Sequence, residues 1–492
     1  MDEAISPGTA AARGIHNVIR LGPLPLGRKA GYAAGQLVDL VVNSMLNVFV
    51  LFYVTAVCGL PGGLAGLALG AGLIIDAVMD PLIGSLSDGW RSRFGRRVPF
   101  MLISLIPLIL TFNLMFALPS TLGNTALFLW LMLLSVSLRI SLSVFTLPYQ
   151  ALGAEISDDY AERSSIAAWR WGIGILGTVA VIGLGYGVFL RGPGGVSHRA
   201  AYLLLTFTLS GLLLVGALIA TWVGLATRER QHETIVPKEA LHVRLFSEIT
   251  EVFRNRTFRI LFFSSLLLNI ASGVSQALAL HVGTFFWQLN SGQLQAVSLA
   301  VVVGLVLGAP LAGSISTRIE KRTMLLLGMI GGAICQAVPV SLQLLGWLHL
   351  VGGARTGVLV FFAVGTGLTF AISAIAFLSI IPDAADEHEH LFGTRREGLY
   401  FAGWSFATKS ASGAGVLIAG VVLQLIRFPP HLAEQGAAAA ALPPQTIMWL
   451  GFVGGPGAAL ISVVGIVVVS RYNLNKWGHA RIMKDLTARR VW

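Results

Sequence analysis

The sequence predicts an all-α membrane protein in which twelve transmembrane helices form two six-helix bundles. Hydrophobic residues make up 55% of the 492-residue chain and charged residues 12%, whereas soluble domains carry about 25% charged residues. Twelve apolar runs are near the ~20 residues that a helix needs to span a bilayer. A long polar segment separates the first six runs from the last six.

The apolar runs follow one another with short polar loops between them. The spans are expected near residues 30–56, 64–87, 98–118, 125–152, 167–190, 200–226, 258–287, 293–317, 323–347, 357–382, 398–426 and 446–470. The chain then divides into a cytoplasmic lead-in (1–29), a first bundle (30–226), a central cytoplasmic loop (227–257), a second bundle (258–470) and a basic cytoplasmic tail (471–492).

The distribution of Lys and Arg predicts the orientation in the membrane. Most Lys and Arg residues lie in the loops on the same side of the membrane as the N-terminus. Because such basic loops stay in the cytoplasm, both termini are expected there. The net charge of +11 is explained by this topology, and we expect no nucleic-acid partner. The lipid bilayer is the expected environment.

The two halves share a short sequence at corresponding helix ends. The segment 81–87 (PLIGSLS) ends span two, and the segment 310–316 (PLAGSIS) ends span eight. Such internal repeats are typical of transporters whose site lies between the repeats near the bilayer midplane.

An acid pair lies within span two. Asp76 and Asp80 are four residues apart and therefore share one helix face. Carboxylates at membrane depth are costly and usually face an ion path or a charged partner. We therefore predict that this pair binds a coupling cation, H⁺ or Na⁺, with a hydroxyl from Ser143 or Thr146. No other metal and no cofactor is expected.

Three basic residues, Arg139, Arg170 and Lys409, also fall within spans. A structural salt bridge from one of them to the acid pair is the alternative to cation binding. Arg139 is expected either to bind an anionic group of the substrate or to neutralise an aspartate. Lys409 is a substrate-site candidate because Trp404, a possible platform for a sugar face, is close in sequence, although a Trp in a span is more often packing.

A polar stripe runs along span one. Asp39, Asn43 and Asn47 step by four residues, and Gln36 precedes them. Amide and carboxylate groups suit hydroxyl-rich ligands, so Asp39 and Asn43 are predicted to bind substrate. Hydrogen bonding between helices is the alternative interpretation.

Charged residues on three inner loops predict a cytoplasmic gate that latches the halves when the cavity faces outward. They are Asp88, Arg91, Arg96 and Arg97 after span two, Glu155 and Arg163 after span four, and Asp383, Arg395 and Arg396 after span ten. Topology and solubility are the alternative explanation, because exposed ion pairs are individually weak.

Several motifs together resemble one transporter family. They are Asp76-Ala-x-x-Asp80-Pro-x-Ile-Gly84, Arg91-Ser-Arg-Phe-Gly-Arg-Arg-x-Pro99, Pro148-Tyr-x-Ala-Leu-Gly-Ala-Glu155, Glu162-Arg163, and Gly393-x-Arg-Arg-Glu-Gly398 followed by Lys409. As a set they resemble the glycoside–pentoside–hexuronide:cation symporters of the major facilitator superfamily, which include the bacterial melibiose permease.

The resemblance covers roughly residues 30–490 and implies a major facilitator fold with alternating access. It also implies that Asp76 and Asp80 bind the cation, that Arg170 lies near the substrate, and that Lys409 links the two sites. Tyr149, in the Pro148-Tyr motif, is a further predicted substrate-binding residue.

The chain departs from the melibiose permease at sites that affect both ligands. Met79 stands where the permease has an asparagine, and a thioether is a poor Na⁺ ligand. Thr146 stands where the permease has one of its sugar-binding acids. The position of the permease's sugar-binding acid in span one corresponds roughly to Leu40, which is adjacent to Asp39. We therefore do not expect specificity for galactosides. We expect uptake to be driven by a pH gradient, with weak stimulation by Na⁺.

The predicted function is cation-coupled symport of a small molecule, a sugar, glycoside or uronide, across a bacterial inner membrane by a monomer. A lysolipid or other amphiphile carrier of the same fold is the alternative. A membrane sensor or scaffold would need a sizeable output domain. An enzyme is not expected, because no loop carries a nucleophile–base set or metal-ligand spacing.

Overall fold

The computed structural model describes residues 24–90, 92–157, 159–191, 194–227, 250–348, 351–394, 397–429 and 442–490. All regular secondary structure in these ranges is helical, as predicted. Twelve helices there are long and apolar enough to cross a membrane: α1 Leu26–Val50, α2 Gly62–Gly89, α3 Val98–Met115, α4 Asn124–Glu155, α5 Ala161–Phe189, α6 Arg199–Ala226, α7 Arg256–Phe286, α8 Ser291–Ser316, α9 Lys321–Leu344, α10 Gly352–Phe392, α11 Glu397–Leu425 and α12 Pro444–Val469. A polar helix, α13 (Lys476–Arg490), follows.

Helix α10 extends ten residues past the predicted end of span ten at 382, as far as Phe392. The apolar run marks the part of a helix that lies in lipid, whereas the helix itself continues while its backbone hydrogen bonds are made. It ends at Gly393, whose φ of 76° provides a left-handed C-cap. Asp383 therefore lies on a helix and not in a loop, which corrects the prediction. Glu155 is likewise the last residue of α4.

The first half comprises α1–α6 and the second half α7–α12. Because twelve crossings return the chain to its starting side, α1 begins and α12 ends on the same side, which we call the terminal side. We call the opposite side the far side. The two halves meet most closely through α2 and α11, on the far side of the molecule.

A glycine seam allows α2 and α11 to approach backbone to backbone. A Cβ built on Gly420 would lie 2.3 Å from the carbonyl oxygen of Gly62 and 2.6 Å from the Cα of Gly66. A Cβ on Gly70 would lie 2.7 Å from the carbonyl oxygen of Gly413. Small residues at helix interfaces permit such close approach in membranes, so these residues seal the far side.

Two hydrogen bonds add to the closure of the far side. Thr55 Oγ1 lies 2.9 Å from His281 Nε2, and the Ser291 hydroxyl donates to the carbonyl of Leu190 at 2.6 Å. Both join the first half to the second.

On the terminal side, the described contacts do not join the two halves. Hydrogen bonds and ion pairs between described residues on this side join partners of the same half. A Cβ on Gly84 of α2 or on Gly398 of α11 would meet nothing within 4 Å. In the part of the chain that the structure describes, the halves are therefore in contact on the far side and separated on the terminal side.

Candidate functional site

The acid pair of α2 faces α4. Ser143 Oγ lies 2.5 Å from Asp76 Oδ1 and 2.8 Å from Asp80 Oδ1. Asp76 is buried, with 5% of its side chain exposed, and Asp80 is 17% exposed. The spacing of four residues thus places both carboxylates against one hydroxyl, as the sequence predicted.

Lys409 of α11 reaches the same carboxylates from the second half. Its Nζ lies 3.0 Å from Asp76 Oδ2 and also pairs with Asp80 Oδ2. The salt bridge expected as the alternative to cation binding is therefore made, by Lys409. It is the polar link between the halves at the level where the glycine seam ends.

Two predicted site residues lie apart from this cluster. Thr146 is buried on α4, and among the described residues it makes no hydrogen bond to either carboxylate. Trp404 packs against the apolar cluster of the second half, and its buried Nε1 has no hydrogen-bond partner in the described part of the chain. Trp404 therefore lies in a packing position, which was the alternative to a role as a platform for a sugar.

The polar stripe of α1 forms a hydrogen-bonded chain. Asn43 Nδ2 donates to Asp39 Oδ1 at 2.7 Å, and Gln36 Nε2 donates to Asp39 Oδ2 at 2.9 Å. Arg139 Nη1 of α4 then donates to Asn43 Oδ1 at 2.8 Å. Asn47 lies one turn further on, in a π-helical turn, and is exposed.

Arg170 of α5 continues this chain at its other end. Its Nε and Nη2 donate to Gln36 Oε1 at 3.1 and 2.8 Å. The guanidinium also lies 5.0 Å from the ring centre of Tyr149, within cation–π range. The structure thus brings Asp39 together with Asn43, Tyr149 and Arg170, all of which were predicted.

Sequence reasoning missed Tyr32. Its hydroxyl donates to the carbonyl of Tyr149 at 2.6 Å, and the two rings stack at 4.7 Å. The signal was present, since Tyr32 precedes Gln36 by four residues and extends the polar stripe by one helical turn. Gln36, which carries the contact to Arg170, belongs to the predicted polar stripe but not to the predicted substrate site.

The predicted gate residues of the first half form one network at the terminal side. Arg97 pairs with Asp88 at 2.5 Å and with Glu155 at 2.9 Å, and Arg96 pairs with Glu155 at 2.5 Å. Arg163 donates to the backbone carbonyl of residue 157 at 2.6 Å. These contacts fix the ends of α2, α3 and α4 relative to one another.

The second half has its own network. Asp383 pairs with Lys321 at 2.6 Å, and His479 of α13 lies 3.1 Å from Asp386. Between described residues, the contacts of these gate residues thus lie within their own halves, and a latch across the halves in the outward-facing state stays a prediction. Arg91, Arg395 and Arg396 lie outside the described residues.

The fold matches solved major facilitator transporters. The nucleoside transporter NupG superposes with a TM-score of 0.59 over 91% of this chain and 100% of its own, at 14% identity. The xylose transporter XylE of E. coli gives 0.57 over 92% of this chain and 96% of its own, at 12% identity. These likenesses confirm the predicted fold.

Sequence relatives span nearly the whole chain. An uncharacterized symporter of Synechocystis is 24% identical over 94% of this chain and 96% of its own. The isoprimeverose transporter of Lactiplantibacillus pentosus is 23% identical over 91% and 89%. The mouse sodium-dependent lysophosphatidylcholine symporter 1 is 24% identical over 95% and 89%.

A family model described as "MFS/sugar transport protein" matches residues 31–476. The relatives and the structural neighbours are transporters and not enzymes, which agrees with the resemblance drawn from the motifs. The chain is therefore a multi-pass membrane symporter that belongs to the MFS/sugar transport protein family of the major facilitator superfamily.

Proposed function

We propose that the protein is a secondary active transporter that couples the uptake of a sugar, glycoside or uronide to a cation bound at Asp76 and Asp80. The observation that carries this proposal is the ion pair between the halves. Two carboxylates of α2 are held by one lysine of α11, at the end of the glycine seam.

The pair with Lys409 supports a competition mechanism. Two carboxylates and one ammonium leave one negative charge, so a cation that enters the cluster is attracted to it. A bound cation weakens the hold of the carboxylates on Lys409, and α11 is then free to separate from α2. Carboxylates without a positive partner are costly at this depth. The halves can therefore rearrange only while either the cation or Lys409 neutralises the acid pair. This requirement couples the movement of the halves to the ion.

The geometry at Ser143 favours H⁺ over Na⁺. A hydroxyl carries one proton, so it can donate one full hydrogen bond, yet Ser143 Oγ is within hydrogen-bond distance of both carboxyl groups. A proton on one carboxyl group turns that group into a donor and satisfies both contacts. Na⁺ is the alternative ion; it prefers several oxygen ligands.

The polar chain from Arg139 to Arg170 supports a hydrophilic substrate. It presents amide, carboxylate, guanidinium and phenol groups beside the cation cluster, which suits a ligand rich in hydroxyl groups. The isoprimeverose transporter is a relative with a sugar substrate in its name. The lysophosphatidylcholine symporter keeps an amphiphile as the second candidate.

We further propose that the terminal side faces the cytoplasm, in a bacterial inner membrane, and that the protein acts as a monomer. The support is the basic cluster at the terminal end of α2 and α3, where Arg96 and Arg97 lie, since basic loops stay on the cytoplasmic side. The side on which the described parts of the halves are separated then faces inward, and both termini are cytoplasmic.

The test is uptake of labelled sugars and uronides by purified protein in liposomes, driven by a pH gradient or by a Na⁺ gradient. We expect the pH gradient to drive accumulation and Na⁺ to stimulate it weakly. Asp80→Asn should abolish the response, whereas Asp485→Asn, on the exposed face of α13, should retain it. A strict Na⁺ dependence without any pH response would overturn the choice of proton, and equal accumulation by both variants would overturn the site.

A further inference from the structure

We propose that Arg139 binds the negative charge of a singly anionic substrate, a carboxylated sugar of the uronide type, beside the cation cluster. This inference deepens the proposed function and rests on it, because it names the substrate class of the same transporter.

Arg139 is a buried guanidinium with few partners. It is 6% exposed, in the middle of α4. A guanidinium has five N–H donors. Among the described residues, Arg139 donates one hydrogen bond, from Nη1 to the neutral Asn43 Oδ1. Buried charges in proteins are usually paired with an opposite charge, so Arg139 has unused capacity for an acceptor that carries a negative charge.

Asp39 and Asp76 lie near enough to Arg139 to interact with it electrostatically, but among the described residues neither accepts a hydrogen bond from it. Both oxygens of Asp39 accept amide hydrogens, from Asn43 and from Gln36. The acid pair of α2 is taken by Lys409 and Ser143. A ligand carboxylate at Arg139 would supply the direct charged acceptor that these side chains do not provide.

The charge balance of the region points to the same ligand. It contains three carboxylates and three cations, so its formal charge is zero before anything binds. A coupling cation raises the charge to +1, which is costly at membrane depth. A neutral sugar leaves this excess, whereas a singly negative sugar removes it. The six residues are Asp39, Asp76, Asp80, Arg139, Arg170 and Lys409.

The position of Arg139 couples the two ligands directly. Arg139 and Ser143 are four residues apart on α4 and share one face, about 6 Å apart, and Ser143 contacts both carboxylates of the acid pair. A substrate carboxylate at Arg139 and a cation at the acid pair are then close enough to attract each other. By linkage, each raises the affinity for the other by the same factor.

The test compares two matched probes that differ at one carbon, 4-nitrophenyl β-D-glucoside and 4-nitrophenyl β-D-glucuronide, in liposomes with purified protein. We expect the glucuronide to be preferred. Its transport with one cation should be insensitive to an imposed membrane potential, because no net charge crosses. Arg139→Gln should lower the glucuronide-to-glucoside uptake ratio by roughly 30-fold, as expected when a buried charge loses its partner.

Two further variants complete the test. Arg139→Lys should restore part of the preference, since it keeps the charge but loses the planar fork of donors. Arg318→Gln, at an exposed position after α8, should leave the ratio unchanged. If Arg139→Gln fails to fold, the probe preference and the response to potential of the wild type decide the question.

The failures of the two proposals are distinguishable. Cation-driven, potential-sensitive uptake of the glucoside without preference for the glucuronide would overturn the role of Arg139 and leave the proposed function standing. An unchanged ratio in a folded Arg139→Gln would do the same. No response of either probe to a pH or Na⁺ gradient, or uptake of lysophosphatidylcholine in place of both, would overturn both proposals.

Discussion

The substitution Gly420→Ala should shift the carrier away from the state seen here. The added Cβ would lie 2.3 Å from the carbonyl oxygen of Gly62 and 2.6 Å from the Cα of Gly66. Both are backbone atoms that cannot rotate away, so α2 and α11 must separate by about 1 Å. Overpacking of this kind costs about 1–3 kcal/mol. Because the clash exists when the far side is closed, this energy favours the state with an open far side by about 5- to 150-fold.

The assay is the rate of maleimide labelling at a reporter cysteine on the far side. Thr55→Cys is suitable in a background with Cys58 and Cys335 replaced by serine, because Thr55 is 2% exposed and contacts the second half at His281. Labelling should accelerate in proportion to the population of the open state.

The matched control is Gly398→Ala, on the same helix, where a Cβ would meet nothing within 4 Å. It should label at the rate of the unsubstituted reporter protein. Equal rates for Gly420→Ala and Gly398→Ala would refute the account of the glycine seam as the far-side closure.

Two further predictions concern the cation cluster and the terminal-side network. Ser143→Ala removes the hydroxyl that contacts both carboxylates and should weaken the apparent cation affinity about fivefold, or ~1 kcal/mol, in pH-dependent uptake. Ser141→Ala on the same helix, whose hydroxyl donates to a backbone carbonyl, should not; equal losses would contradict a ligand role. Arg97→Gln removes a buried guanidinium from two carboxylates and should lower the unfolding free energy by about 2 kcal/mol, measured by thermal unfolding in detergent. The exposed Arg93→Gln should change it by less than about 0.5 kcal/mol, and a similar loss in both would contradict the network.

Much of the fold was predictable because the bilayer imposes a length on each apolar run. All twelve predicted spans are helices, and the grouping into two sets of six follows from the long polar segment at the centre. The ends were less predictable, since hydrophobicity reports where lipid ends and not where a helix ends. Helix α10 shows this, because its last turns carry Asp383 and Asp386.

The shared face of the acid pair was predictable from spacing, but the hydroxyl that contacts it was not. Asp76 and Asp80 on one helix face require a neighbouring helix, and Ser143 was one of the two hydroxyls predicted for this contact in span four. The choice between Ser143 and Thr146 depends on the rotation of α4 about its axis, which sequence periodicity leaves open.

Pairings between distant helices could not be derived from the residues themselves. Arg139, Arg170 and Lys409 were equal candidates for the acid pair in sequence. The packing of α11 against α2 selects Lys409, while the two arginines bind amide oxygens of α1. For the same reason Trp404, which is close to Lys409 in sequence, lies against the apolar cluster of the second half.

The most direct test of the central claim is gradient-driven accumulation by the double variant Asp76→Asn/Asp80→Asn in liposomes, measured beside substrate exchange at equilibrium. We expect accumulation to be lost while exchange of substrate across the membrane persists, because the carrier can still move but no longer binds the coupling cation. Accumulation at the wild-type level in the double variant would contradict the assignment of the acid pair as the coupling site.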